Sequence, residues 1–323
     1  LISIGICNGI LPENEALINK LNQESQYATF AANEFADISI NEFRQTRLIG
    51  LDSTIMVHDI RNHKQYNPKQ KIKDIPDSFD WREYGAVTPV KNQYSCGTCW
   101  SFSTTGNIEG QWFLHNNQNN LVSLSEEFLV DCDNKDCGMF GGWPYLAYQD
   151  IIEQKGIPSE SAYPYCCGTK DTCYPCMASG YNRTFCGNHD NLYCNKTWNA
   201  DHCPSNDWIP AAQISDWMSI SSNETDIAVS LVEIGPLSVC MNAAELSYYH
   251  SGIYDPKFCD PDSLDHAVLI VGYGTENNVP YWIVKNSWSD SWGEDGYFRI
   301  IRGQGKCGIN TAVTTSCIDT CQT

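Results

Sequence analysis

The sequence lacks any run of 18 or more apolar residues, so it offers no candidate for a membrane-spanning helix. It is poor in positive charge. Twenty Lys and Arg stand against 39 Asp and Glu, a formal net charge of −19. That balance argues against nucleic acid or an anionic membrane surface as a partner. The shortage is uneven: residues 1–74 carry 8 basic and 9 acidic residues, so the acidity belongs to the remainder. An acidic surface suits work at low pH, where carboxylates lose charge, and suits an ordinary soluble surface equally well. Internal repeats and low-complexity tracts are absent too, which excludes solenoids and arrays. An initial Met is also lacking. Residues 1–7 are largely apolar and read either as the stump of a signal peptide or as the start of an incomplete chain.

Cysteine, by contrast, is abundant: 17 of 323 residues, seven of them between Cys166 and Cys203. Such density favours an oxidising compartment. Asn182, Asn195 and Asn223 each open an N-glycosylation sequon, in agreement with a secretory route. Cys173 and Cys176, followed by Cys186 and Cys194, invite a zinc reading. In a sequon-bearing chain a disulfide knot is the favoured alternative, and no metal or cofactor is called for.

Local patterning divides the chain. Trp100, Phe102, Ile108, Trp112 and Phe113 recur at helical spacing over 99–115, and 124–131 and 143–152 read as further helices. From Pro236 the texture changes. Residues 237–241, 267–273, 281–284 and 297–301 are β-rich runs split by Gly and Asn. Helices first and strands later indicate an α+β chain with a helical lobe and a sheet lobe.

The chemistry centres on Gln93-Tyr94-Ser95-Cys96-Gly97-Thr98-Cys99-Trp100 at the head of the first of these helices, with Asp265-His266-Ala267 and Lys285-Asn286-Ser287-Trp288 downstream. A thiol becomes a nucleophile as its thiolate, which a helix N-terminus and a nearby imidazolium both favour. Cys99 would be that nucleophile, and His266 the base that later protonates the leaving amine. Asn286 would fix the imidazole ring, and Gln93 would donate to the oxyanion beside the Cys99 N–H. Alone, a cysteine, histidine or asparagine is more often structural. Together these residues make the set that acyl transfer from a peptide requires.

The pattern resembles the papain/cathepsin family of cysteine peptidases over residues 75–165 and 207–317, with Trp292, Gly293, Gly296 and Tyr297 matching as well. The resemblance implies a two-lobe fold, a helical lobe plus an antiparallel β-barrel-like lobe with the cleft between them. It implies an endopeptidase with a thiolate–imidazolium pair and an acyl-enzyme, acting on proteins and peptides. It also implies cystatin-type inhibitors as partners, a monomer, and a lysosomal, endosomal or secreted setting. Residues 1–74 resemble a partial pro-segment. Phe30 to Asp37 is similar to the family's Gly-x-Asn-x-Phe-x-Asp motif with Ala31 in place of glycine, and Ile18 and Asn22 match the tail of its helical motif. The peptidase domain would be 75–323, with a Cys-rich insert at about 166–206.

By the same resemblance Gly141, Gly142, Trp143, Pro144, Cys240, Leu264, Asp265, Ala267, Trp288 and Ala312 line the substrate cleft. An uncharged second subsite with Ala312 at its floor, as in cathepsin L-like members, implies an apolar or aromatic P2 residue. The family pattern pairs Cys96 with Cys137, Cys259 with Cys307, and Cys132 with one of Cys166, Cys167 or Cys173. With Cys7 and Cys99 set aside an odd number remains, and Cys240, in an apolar strand-like run, is the choice for the unpaired one; Cys317 and Cys321 are close enough in sequence to pair locally. Departures are Tyr94 and Ser289 where glycine is usual, and the run Cys137-Gly138-Met139-Phe140-Gly141-Gly142, two residues longer than usual. Two other readings stay open: a catalytically silent homologue that binds proteins through its cleft, and an exopeptidase with a partly blocked cleft.

Overall fold

The computed structural model describes residues 9–116, 118–169, 182–187, 208–243 and 245–321. Three helices precede the main body: α1 (Pro12–Glu24), α2 (Ile40–Arg47) and α3 (Ser53–Asn62), with strand β1 (Ala28–Phe30) after the first. Ser39 and Asp52 cap α2 and α3 by accepting from the first-turn N–H groups of Glu42 and Thr54. Then come β2 (Phe79–Asp80) and the helices α4 (Cys99–His115), α5 (Glu126–Cys132), α6 (Pro144–Gln154) and α7 (Arg183–Cys186). The remainder is β3 (Asp216–Ser219), α8 (Glu224–Ile234), β4 (Leu237–Met241), β5 (Tyr249–Tyr254), β6 (His266–Glu276), β7 (Val279–Lys285), β8 (Tyr297–Ile301) and β9 (Ala312–Cys317).

The sheet runs β1-β5-β8-β7-β6-β4-β9-β3, with β2 added to β6. Its pairs are antiparallel except β5 with β8. The fold is mixed helix and sheet as the resemblance implies, but the expected barrel-like lobe is corrected to an open sheet. Its path ends at β1 on one edge and β3 on the other, and β1 comes from the N-terminal segment. Among the described residues no helix is long and apolar enough to cross a membrane.

Helix α4 is buried from Cys99 to Gly110, Phe102 in part, because it lies between two cores. One core gathers Trp81, Trp282, Trp288, Trp292 and Phe298 around the sheet; the other gathers Trp100, Phe128, Trp143 and Tyr148 among the helices. Close approach to the sheet demands small residues on α4. A Cβ at Gly106 would stand 3.1 Å from Leu269 Cδ2, and one at Gly110 would stand 2.9 Å from the Pro236 ring.

The disulfides correct one expected pairing. Cys96 is bonded to Cys167 and Cys137 to Cys186, in place of Cys96–Cys137. The insert cysteines supply nearer partners than the sequence order suggests, and pairing follows spatial neighbourhood rather than spacing. Cys167 is therefore excluded as the partner of Cys132. Cys132 and Cys166 are both disulfide-bonded, and the candidate Cys173 lies outside the described residues. Cys259–Cys307 and Cys317–Cys321 are present, and Cys99 and Cys240 are free thiols. Cys186 spends its sulfur on Cys137, which removes it from any zinc set; Cys173, Cys176 and Cys194 lie outside the described residues. Asn182 and Asn223 are exposed N-caps of α7 and α8, and Asn195 lies outside the described residues.

Candidate active site

Cys99 is the first residue of α4, where unpaired N–H groups and the helix dipole favour negative charge. His266 is the first residue of β6 and Asn286 follows β7, its neighbour in the sheet. The His266 ring donates from Nε2 to Asn286 Oδ1 at 2.8 Å, and Asn286 Oδ1 also accepts from the Ser287 N–H at 2.8 Å. That leaves His266 Nδ1 without a hydrogen-bond partner among the described residues. Trp288 stacks on the imidazole at 4.7 Å between ring centroids and shields this bond from water. Across the lobe boundary, the Ala267 N–H donates to Cys99 Sγ at 3.4 Å.

Gln93 is fixed from both ends of its amide. Its Oε1 accepts from the Ser287 hydroxyl at 2.6 Å; its Nε2 donates to the Cys96 carbonyl at 2.8 Å and to the Arg47 carbonyl at 2.9 Å. Ser287, beside Asn286 in the same run, orients the Gln93 amide. Arg47 has no sequence signal, because what engages Gln93 is its main chain. The next residues continue along the site. Ile49 N–H donates to the Asp265 carbonyl at 2.6 Å, and the Ile49 side chain lies where a Gly141 Cβ would be 3.0 Å away.

The expected subsite residues divide into three groups. Cys240, Ala267 and Ala312 face one another across β4, β6 and β9 and share a buried cluster with Trp143, Leu264, Cys99 and Ile49. Pro144 begins α6 beside Trp143, while Gly142 is hemmed in by Trp100 and Asp136. Trp288 stands apart, covered edge-on by Phe35 and Phe43 at 5.7 and 5.3 Å. Phe35 is held by Asn33: Asn33 Oδ1 accepts from the Phe35 N–H, and Asn33 Nδ2 donates to the Ser247 carbonyl. The extra residues of the 137–142 run form one 3₁₀ turn, Gly138–Phe140, against the head of α4. Its Met139 carbonyl accepts from Gly97 N–H and its Gly138 carbonyl from the Trp100 indole. Tyr94 and Ser289, where glycine is usual, both have positive φ (48° and 74°), so the unusual residues keep a glycine-like backbone.

Burial dominates the electrostatics. Neither Cys99 nor His266 has exposed surface. Burial pushes the Cys99 thiol up to about 12 and the His266 imidazole down to about 4. The thiolate–imidazolium pair expected from the sequence is therefore disfavoured while residues 47–49 lie over the site. Both charged forms lack water here, which favours the neutral thiol and imidazole.

The sequence profile described as papain family cysteine protease matches residues 75–317. The chain belongs to that family. It is a hydrolase of the cysteine protease class, similar to cysteine proteinase 1 of Dictyostelium discoideum, 42% identical over 304 residues that cover 90% of this chain and 78% of that one. It is also 38% identical to mouse cathepsin F over 295 residues, spanning 90% of this chain and just 55% of the relative. Among solved structures, digestive procathepsin L2 of Tenebrio molitor superposes with a TM-score of 0.73 at 31% identity, covering 96% of this chain and 95% of that one. A stem bromelain precursor gives 0.72 at 30% identity, with coverages of 95% and 89%.

Proposed function

We propose that the chain is the precursor of an endopeptidase whose nucleophile is Cys99 and whose pro-segment is residues 1–74. The observation that carries this reading is the Arg47 carbonyl on the Gln93 amide. A main-chain carbonyl already occupies the donor that an oxyanion would need. Ile49 in the Trp143, Cys240, Leu264, Ala267 and Ala312 cluster supports an apolar or aromatic P2 preference. The backbone at Asp265 and Gly142 would hold the substrate strand, with Gly141 and Pro144 shaping its wall and Trp288 bounding the leaving side.

Once residues 1–74 leave, water and the helix terminus favour the ion pair. His266 takes the Cys99 proton, and the thiolate attacks the scissile carbonyl. Gln93 Nε2 and the Cys99 N–H hold the oxyanion. The imidazolium then protonates the leaving amine as the C–N bond breaks, which leaves a thioester. His266 next deprotonates a water that hydrolyses the thioester and restores the thiol. Asn286 keeps the ring aligned throughout. Disulfides and sequons support a lysosomal, endosomal or secreted setting with glycans at Asn182, Asn195 and Asn223. One chain supplies every site residue, so a monomer suffices, and a cystatin-type inhibitor would enter the same cleft.

The test is turnover of a peptide blocked at both ends, with an aromatic P2 residue, at about pH 5.5 with reductant, before and after removal of residues 1–74. Turnover should appear on removal and vanish in Cys99→Ala. Alkylation of Cys99 by iodoacetamide should quicken at least about 100-fold on removal, as a thiol becomes a thiolate. Cleavage confined to peptides with a free end would replace the endopeptidase by an exopeptidase. A folded, processed chain that turns over neither would leave the silent binder.

A further inference from the structure

Behind the His266–Asn286 pair, at the boundary between the lobes, is a cavity of about 20 Å³. Asn286, Lys285, Glu126, Glu109 and Lys91 are on its wall. The charged groups form a chain. Lys91 Nζ donates to Glu126 Oε1 at 2.6 Å and to Glu109 Oε1 at 3.1 Å. Lys285 Nζ donates to Thr88 Oγ1 at 2.9 Å, and that hydroxyl donates to Glu109 Oε2 at 2.5 Å. Two buried polar atoms of wall residues have no hydrogen-bond partner among the described residues: the donor Asn286 Nδ2 and the acceptor Glu126 Oε2. A space of this volume holds one water, and buried waters reside where such atoms converge.

We propose that one internal water in this cavity accepts from Asn286 Nδ2 and donates to Glu126 Oε2, which makes Glu126 a positioning residue for the His266–Asn286 pair. The inference rests on Asn286 orienting the ring. Asn286 Oδ1 already accepts from His266 and from Ser287 N–H, so tying down Nδ2 fixes the other end of the same amide. A carboxylate beyond the water polarises that amide toward Oδ1 and strengthens its bond to an imidazolium. The ionisable neighbours of Glu126 are Lys91, Glu109, Glu160, Tyr165 and Lys285; beside His266 stand Asp265, next to it in the chain, and Cys99, whose sulfur accepts from the Ala267 N–H.

A high-resolution crystal structure of the full chain tests the bridge without any turnover. Density for one water within hydrogen-bond reach of both atoms is expected, and its absence overturns the proposal. This reading fails separately from the catalytic one, which Cys99→Ala decides. The kinetic test uses the processed enzyme. Glu126→Gln keeps the shape but replaces the acceptor by a donor, so the water faces two donors. We expect kcat/KM to fall about tenfold at unchanged KM, less than the 100-fold of a 1 Å misplacement. The upper limb of its pH profile should move to lower pH. Glu126→Asp keeps the charge but withdraws the carboxylate, and should move the limb the same way. A loss of thermal stability with an unmoved upper limb in Glu126→Gln would make the residue merely structural. A wild-type profile in Glu126→Asp would assign the effect to charge alone. Either result overturns the bridge.

Discussion

Glu109, in the middle of α4, and Asp136, in the turn before Gly141, are both carboxylic acids with almost no exposed surface, yet their pKa values are displaced in opposite directions. Burial alone would raise both. At Glu109, Lys91 and Lys285, with the Thr88 hydroxyl and the Leu124 N–H, outweigh it and hold the carboxyl below its ordinary value. At Asp136 burial is reinforced by Asp133 and Asp150, and the carboxyl sits well above the usual range. Burial likewise raises Asp133 to about 6 and Asp150 to about 8. One region buries acids with bases; the other packs three acids together, with the partly exposed Lys135 offsetting burial only in part. In the first, the bases hold Glu109 below its ordinary value, although burial and Glu109 still raise Glu126; in the second all three acids are raised, hold protons and respond to pH. The second also borders the cleft, because Asp136 Oδ1 accepts from the Trp143 N–H at 2.8 Å.

The sharpest way to break the contrast is to take the base away. Lys91→Met leaves Glu109 and Glu126 buried with only Lys285 to balance them. Removing one partner of a buried pair costs about 3–5 kcal/mol. Lys91 keeps some exposure, with 20% of its side chain accessible, so a loss near the lower end, about 3 kcal/mol, is expected. Urea unfolding of the Cys99→Ala chain at pH 5, which avoids self-digestion, measures it. A change below about 0.5 kcal/mol would show that the lysine adds nothing net and that the two regions do not differ in kind.

Neither region was legible in the sequence, and the reason is physical. The residues around Gln93, Cys99, His266 and Asn286 stood out because each carries a distinctive functional group in a fixed local run. Helix α4 and strands β4 and β8 emerged from apolar periodicity, which burial on one side imposes. Lys91, Glu109, Glu126 and Lys285 come from separate runs and meet only when the lobes close around α4. Strand β5, whose partner β8 runs parallel, had no alternating pattern to betray it, with Gly252 in its middle. The Cys96–Cys167 and Cys137–Cys186 pairs depend on where the insert's ends dock. The Arg47 carbonyl on Gln93 depends on the path of a backbone, which no side chain announces.

A gentler probe works on the acid-rich region around Asp136. Groups with a raised carboxyl pKa bind more protons folded than unfolded, so their contribution is fully present below the unfolded value near 4. It is lost as pH rises through about 6 for Asp133 and about 8 for Asp150. Each titrating group contributes a slope of at most about 1.4 kcal/mol per pH unit in that window. Asp136→Asn removes one of the three acids while leaving an oxygen for the Trp143 N–H. The variant should be near wild type at pH 5 and more stable by about 2 kcal/mol at pH 7.5. Urea midpoints at the two pH values check it. A parallel loss at both would mean that the acids are held by hydrogen bonds and carry no excess protons.

The smallest effect expected lies in the hydroxyl that links the base to the acid. Thr88→Val keeps the shape but removes the donor to Glu109 Oε2 and the acceptor of Lys285 Nζ. Hydrogen bonds to charged groups contribute about 1.5–3 kcal/mol, and Lys285 and Glu109 can partly re-pair directly, so the loss should be about 1.5 kcal/mol. Thr88 does not line the cavity shared by Glu126 and Asn286. Its loss should therefore lower the thermal midpoint while leaving the pH profile of kcat/KM in place, the reverse of Glu126→Gln. If Thr88→Val moved the upper limb as well, the four charges would act on Asn286 as one electrostatic body. The base-paired region would then tune the site through its field, with no need for the single contact through Glu126.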